Sequence, residues 1–319
     1  MSRTGLAGGL AIGAIGAVAM GSAAPALKLL AGSGLSPVNV IQVRTVIGAL
    51  ALLAAALLLR RGRMSVPRGD WWLVALYGVI TIAVNQVLYT VALGRLPVGV
   101  ALLLEYLAPV LVALWVRFVQ GRPVPALLWV GIAVLLAGLA LVSGVGGNGA
   151  GLDWVGVAFG LAAAVTLAGR FLLAERGLRT HDPLVMATWG GCLGAVALTA
   201  AGVFAPFPFE VLASTARSAP VWGLALYVGL VGMAGAILLG VIAQRVIPST
   251  SASLVAALEI IVGGVLAAVV LGERLSAAQW AGSAAMLTGI VLSQLAMAGR
   301  RAPAEEVRPV DPVAAGAPR

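Results

Sequence analysis

Ten mostly apolar stretches run through the chain with short polar breaks between them, at 7–29, 37–59, 71–93, 99–118, 126–144, 153–174, 184–204, 219–242, 250–271 and 277–297. A helix that crosses the hydrocarbon core of a bilayer needs about 20 predominantly apolar residues. The pattern therefore predicts an all-α integral membrane protein with ten transmembrane helices joined by short connections. The first stretch contains Ser22-Ala23-Ala24-Pro25-Ala26, which resembles a signal cleavage site, but its apolar run exceeds the roughly 7–15 residues of a signal peptide. It is assigned as a spanning helix. The end of the chain, 299–319, is rich in Pro, Ala and charge, cannot bury a core, and is expected to be a disordered cytoplasmic tail.

The pattern also repeats. A shift of 151 positions superposes Pro97 on Pro248, Gly121 on Gly272, Trp129 on Trp280 and Gly138 on Gly289 without gaps. Smaller shifts pair Pro37 with Pro183 and Trp72 with Trp222. The chain is thus expected to be two five-helix units, 7–144 and 153–297. Five is an odd number, so the second unit enters the membrane with inverted orientation. Inverted repeats are a recurring design of secondary transporters, with the substrate site near the midplane between them.

Composition removes the other broad classes. Residues of the set AVILMFWYC make up 61% of the chain, charged residues only 10%, and the mean hydropathy is +1.07. An ordinary soluble domain carries roughly 25% charged residues. One Cys (Cys192) and one His (His181) rule out a disulfide framework and a Cys/His metal site, and no cofactor is expected. His181 lies in a polar connection and is expected to be exposed. The net charge of +9 does not form a nucleic-acid patch. With the N-terminus inside, 14 basic residues fall in cytoplasmic segments and 3 (Arg95, Arg217, Arg274) in outer connections. The positive-inside rule then places both termini in the cytoplasm. The Gly144–Gly149 run matches G-x-G-x-x-G, but no strand precedes it, so it is no dinucleotide site. No Walker motif is present, so no ATP-driven step or ATPase subunit is implied.

Several segments resemble a known family. Pro97-Val98-Gly99-Val100-Ala101-Leu102-Leu103-Leu104-Glu105 with Pro109, and Ala257-Leu258-Glu259 with Leu271-Gly272-Glu273-Arg274-Leu275-Ser276 ahead of Gln279-Trp280, resemble the two EamA modules of the drug/metabolite transporter superfamily. Within it, Lys28, Arg44, Asn85-x3-Tyr89 and Glu105-x3-Pro109 resemble the threonine/homoserine exporter branch. The resemblance implies a multi-pass bacterial-type inner-membrane exporter of small amino acids or related metabolites. Two departures stand out: Ile260 follows Glu259 where the second module usually has Pro, and Arg170 stands where the branch is usually uncharged.

An ionisable side chain in a span costs about 2.5–3.5 kcal/mol on insertion scales, so each needs a reason. At 1.5 Å per residue, Arg44, Asn85 and Glu105 all lie roughly 10 Å from the outer face, and Tyr89 and Lys28 extend that layer outward. A zwitterionic amino acid needs a cation and donors for its carboxylate, for which Arg44, Lys28, Asn85 and Tyr89 are candidates, and an anion for its ammonium, for which Glu105 is. The bland alternative is that Arg44 and Glu105 only neutralise each other and that Lys28 snorkels outward. Pro109 has no N–H for the carbonyl of Glu105 and is expected to kink helix 4. Glu259, roughly 15 Å deep, is a candidate proton carrier or a structural anchor near Gln244, and is expected to lie far from Glu105. Arg170 is expected either to snorkel toward Glu175 or to serve an inner gate.

The leading expectation is a secondary exporter of small amino acids by alternating access, coupled to proton entry, with a small-molecule substrate and the lipid bilayer as its partners. Homodimer formation stays open. A broad-specificity metabolite or drug facilitator is the alternative within the superfamily. A membrane-embedded lipid-modifying enzyme would need a nucleophile–base or metal constellation, and none is visible in the chain.

Overall fold

The computed structural model of the protein describes residues 3–59, 64–121, 123–143, 153–177, 181–202, 206–244, 255 and 258–298. Among them the apolar runs are helical: α1 (Arg3–Ala31), α2 (Pro37–Leu59), α3 (71–95), α4 (Val98–Phe118), α5 (Ala126–Ser143), α6 (Trp154–Gly177), α7 (Pro183–Ala201), α8 (221–244), α9 (Leu258–Leu271) and α10 (Ala277–Ala298). Six of these are both long and apolar enough to cross a membrane on their own composition. The tail and the Gly-rich 144–152 connection lie outside the described residues.

Large apolar side chains such as Leu58, Val165, Val196 and Val269 point outward. In water such a surface would drive aggregation, and here it is the face presented to lipid. Polar side chains turn inward instead, so Asn39, Arg44, Thr45, Thr81, Asn85 and Glu105 are all buried.

Helix packing follows the duplication. Helix α1 packs on α8 while α3 packs on α6, α1 packs on α9 while α4 packs on α6, and the mates α2–α7, α4–α9 and α5–α10 pack on each other. Every major contact thus recurs when α1–α5 is exchanged with α6–α10, as expected of two inverted five-helix repeats. Gly121 and Gly272, superposed by the 151-residue shift, both follow the fourth helix of their repeat with left-handed φ of 66° and 69°. Only glycine adopts that conformation without strain, which is why both repeats keep it there.

The helices are interrupted where the sequence predicts continuity. Tyr77–Val84 of α3 and Leu230–Gly235 of its mate α8 are wound as π-helix, and α9 ends in a third such segment, Ala267–Leu271. A π-helical turn is wider than an α-turn and leaves backbone carbonyls open to other donors, which is why such turns gather at functional sites. Helix α4 breaks, as Pro109 led one to expect, into Val98–Glu105 and Ala108–Phe118, with Tyr106 and Leu107 in a turn between them.

Helix α1 meets α9 without side-chain padding. A Cβ on Gly21 would come within 2.6 Å of the Glu259 carbonyl oxygen, a backbone atom that cannot swing away. Gly21→Val should therefore push α9 outward and lower stability by roughly 1–3 kcal/mol, as overpacking does. A thermal melt of purified protein in detergent would read this as a lower midpoint, and an unchanged midpoint would disprove the tight crossing.

Candidate functional site

A polar cluster occupies the seam between the repeats, and π-helical geometry assembles its first part. Arg44 of α2 donates through Nη2 to the carbonyl of Gly232 at 3.1 Å, within the π segment of α8. Its Nη1 donates to Oε1 of Gln86. Gln86 passes the interaction on, Nε2 to Oδ1 of Asn85 at 3.1 Å. Asn85, directly after the π segment of α3, donates to the Ala163 carbonyl at 2.8 Å and to Thr166 Oγ1 at 3.1 Å, both on α6. A chain of donors and acceptors thus crosses from α2 through α3 to α6 with one repeat on either side.

The second part forms at the α4 break. Tyr106 donates its hydroxyl to Oε2 of Glu259 on α9, while its chain neighbour Glu105 adjoins Asn85. Arg44, Arg170, Glu105 and Glu259 all lie close enough for their charges to act on one another. Two cations and two carboxylates therefore share one largely dehydrated region, where Coulomb interactions are several times stronger than in water. Two donors in it have no hydrogen-bond partner among the described residues: Arg44 Nε and the Tyr89 hydroxyl, both buried. A buried polar group without a partner costs about 1–3 kcal/mol, so such groups mark a strained spot or a ligand position.

Arg44, Asn85, Tyr89 and Glu105 are thus brought together as their depths suggested, although Arg44 makes no ion pair with any described residue and meets Gln86 and a carbonyl instead. Glu259 corrects the expectation that it lies far from Glu105. Helices α4 and α9 are repeat mates that pack on each other, so Tyr106, the neighbour of Glu105, bonds Glu259 and the two carboxylates come within charge range. Arg170 does not simply reach for the membrane surface: its guanidinium lies 6.0 Å over the Tyr77 ring and interacts with Glu105. The side chains of Glu175 and Gln244 lie outside the described residues. Lys28 departs from the layer, because its Nζ donates to Glu273 Oε1 and to the Leu96 carbonyl, both at 2.6 Å. His181, expected in solvent, is buried with Nε2 3.2 Å from Asp70 Oδ2. It lies against Asp70 of the α2–α3 connection, a long-range packing event that local polarity does not signal.

Gln86, Tyr106, Thr166 and the Gly232 carbonyl escaped the sequence reading. Gln86 and Tyr106 each follow a singled-out residue, Asn85 and Glu105, so their position beside a polar intramembrane residue was the available signal. The carbonyl has no signature, since nothing in Leu230–Gly235 announces a π turn.

The architecture, an inverted pair of repeats around a buried polar seam, is matched by a known family model. The EamA-like transporter family matches residues 7–144 and 154–295. This chain belongs to that family. As a member it is a multi-pass membrane transporter that acts on a small-molecule substrate in a lipid bilayer. A curated relative, the "Uncharacterized transporter YwfM" of Bacillus subtilis (strain 168), is 24% identical over 267 residues, or 83% of this chain and 87% of its own. A solved structure described as "Crystal structure of protein" superposes with a TM-score of 0.62 at 22% identity, across 94% of this chain and 100% of its own, and agrees with the EamA fold seen here. Family and relative both point to transport rather than to enzymatic catalysis.

Proposed function

We propose that this EamA transporter exports small zwitterionic amino acids of the threonine/homoserine type by alternating access, driven by proton entry, from an inner membrane with both termini in the cytoplasm. One observation carries the reading. Arg44 Nε and the Tyr89 hydroxyl are buried donors with no hydrogen-bond partner among the described residues, and they share a seam with two carboxylates, Glu105 and Glu259. Unfilled donors beside a guanidinium suit a substrate carboxylate, and a carboxylate on the facing helix suits its ammonium. The site residues in this reading are Arg44, Asn85, Tyr89 and Glu105 for substrate, and Glu105 and Glu259 for the proton, with Arg170 near the inner gate. Lys28 takes no direct part in it, being held by Glu273. The five-helix units are 7–144 and 153–297.

The test is efflux and counterflow of labelled threonine and homoserine from proteoliposomes with an imposed pH gradient. Stimulation by an opposing proton gradient, and competition by other small amino acids but not by apolar cations, is the expected result. Competition by apolar cations with no gradient dependence would instead establish a broad-specificity facilitator. Orientation is tested separately: reporters placed after Arg63 and at Arg319 should behave as cytoplasmic, and one at Asn148 as external. An external C-terminus would overturn the assigned sidedness.

A further inference from the structure

Three side-chain charge contacts are present among the described residues: Lys28–Glu273 at 2.6 Å, Arg95–Asp153 at 2.9 Å and His181–Asp70 at 3.2 Å. Each joins a residue of the first repeat to one of the second, and each lies at the end of the helices rather than in the middle. In a transporter these are the positions that must separate when one end opens.

Of these residues Glu273 bridges the most helices. One carboxylate oxygen takes Lys28 Nζ from the end of α1, and the other takes the backbone N–H of Val98, the first residue of α4, at 2.9 Å. Lys28 in turn reaches the Leu96 carbonyl in the α3–α4 connection at 2.6 Å. Glu273 itself sits two residues past the end of α9. One carboxylate thus ties α1, α4 and α9 together at one end of the bundle, and α4 and α9 are the helices that carry Glu105 and Glu259. The N–H it accepts is at a helix N-terminus, where the peptide dipoles favour an anion.

The pair also has the burial a reversible tie needs. Its side chains are 26% and 17% exposed, whereas those of Arg95 and Asp153 at the same end are 46% and 36% exposed. An exposed pair is worth little, and a fully buried one is hard to break because each charge is left without water. Lys28 and Glu273 lie between these limits, on the wall of a cavity of about 410 Å³ that Arg217 also lines. Water in that cavity can hydrate both charges once they part, and the Arg217 guanidinium, held there through the Leu271 carbonyl at 2.8 Å, is a second cation on the same wall.

We infer that Glu273 is a gating residue: its contacts with Lys28 and Val98 hold this end of the bundle shut, and their rupture lets α4 and α9 part from α1 and opens the polar seam to this face. The inference rests on alternating access but on neither the proposed substrate nor the proposed coupling ion.

The test needs no substrate. A cysteine is placed at Gly99, in the first turn of α4, where an added Cβ would meet only the Gly264 Cα at an ordinary 3.5 Å. Its rate of reaction with a bulky hydrophilic maleimide is measured on purified protein, with the native Cys192 of α7 as internal reference. Glu273→Gln and Lys28→Met should each speed labelling at position 99 roughly tenfold, the shift expected for a lost charge-assisted hydrogen bond, and leave Cys192 unchanged. Arg95→Gln, which removes the exposed pair, should change neither. If one of the two gate variants fails to fold, the other breaks the same contact from the opposite side. Unchanged labelling in both variants, equal acceleration at Cys192, or equal acceleration by Arg95→Gln would overturn the gate.

Discussion

Arg44→Leu should lower transport about a hundredfold while folded protein accumulates in the membrane close to the wild-type amount. The factor is the upper end of about 1.5–3 kcal/mol for a lost hydrogen bond to a charged group, read as a loss of substrate binding rather than of insertion. Insertion itself should improve, because Leu is welcome in a span where Arg is not. What disappears is a group that links Gln86 on α3 with the Gly232 carbonyl on α8 and whose Nε has no partner among the described residues. Glu105→Leu should behave alike, since it removes the carboxylate that faces the same seam. Initial uptake rates set against detergent-soluble, monodisperse protein separate the two effects. If the double replacement by Leu stays folded and restores transport, Arg44 and Glu105 serve packing and the ligand assignment falls.

Glu105→Gln should abolish efflux driven by a pH gradient while substrate exchange at equal pH survives. Glu105 lies next to Asn85 and within charge range of Glu259, Arg44 and Arg170, so its proton and a substrate ammonium compete for one place. A neutral amide can still hydrogen-bond substrate but cannot carry a proton across. Glu259 is differently placed, because the Tyr106 hydroxyl holds it at the α4 break. Glu259→Gln is therefore expected to slow gradient-driven efflux and exchange together. The ratio of the two rates in each variant decides the matter. Full gradient dependence retained by Glu105→Gln would move the proton to Glu259 or remove proton coupling altogether.

The sequence by itself determined the helices, the duplication and the membrane. These depend on local quantities: the transfer free energy of each run of about 20 residues, and positions such as Gly121 and Gly272 that recur at a fixed spacing. It also marked Arg44, Asn85, Tyr89 and Glu105 as one layer, because depth along a helix is counted in residues. Depth says nothing of lateral neighbours. That Glu105 and Glu259 come within charge range, that Arg44 chooses Gln86 and a carbonyl rather than a carboxylate, and that Lys28 leaves the layer for Glu273 were all decided by the rotation and crossing of helices far apart in the chain. The π segments of α3 and α8 belong to the same class. Each packs against helices of the opposite repeat, and although Gly78, Gly232 and Gly235 weaken an α-helix there, glycine does not by itself specify a π turn, so tertiary packing selects it. His181 left the solvent for a comparable reason, because it packs against Asp70 in a connection of the other repeat.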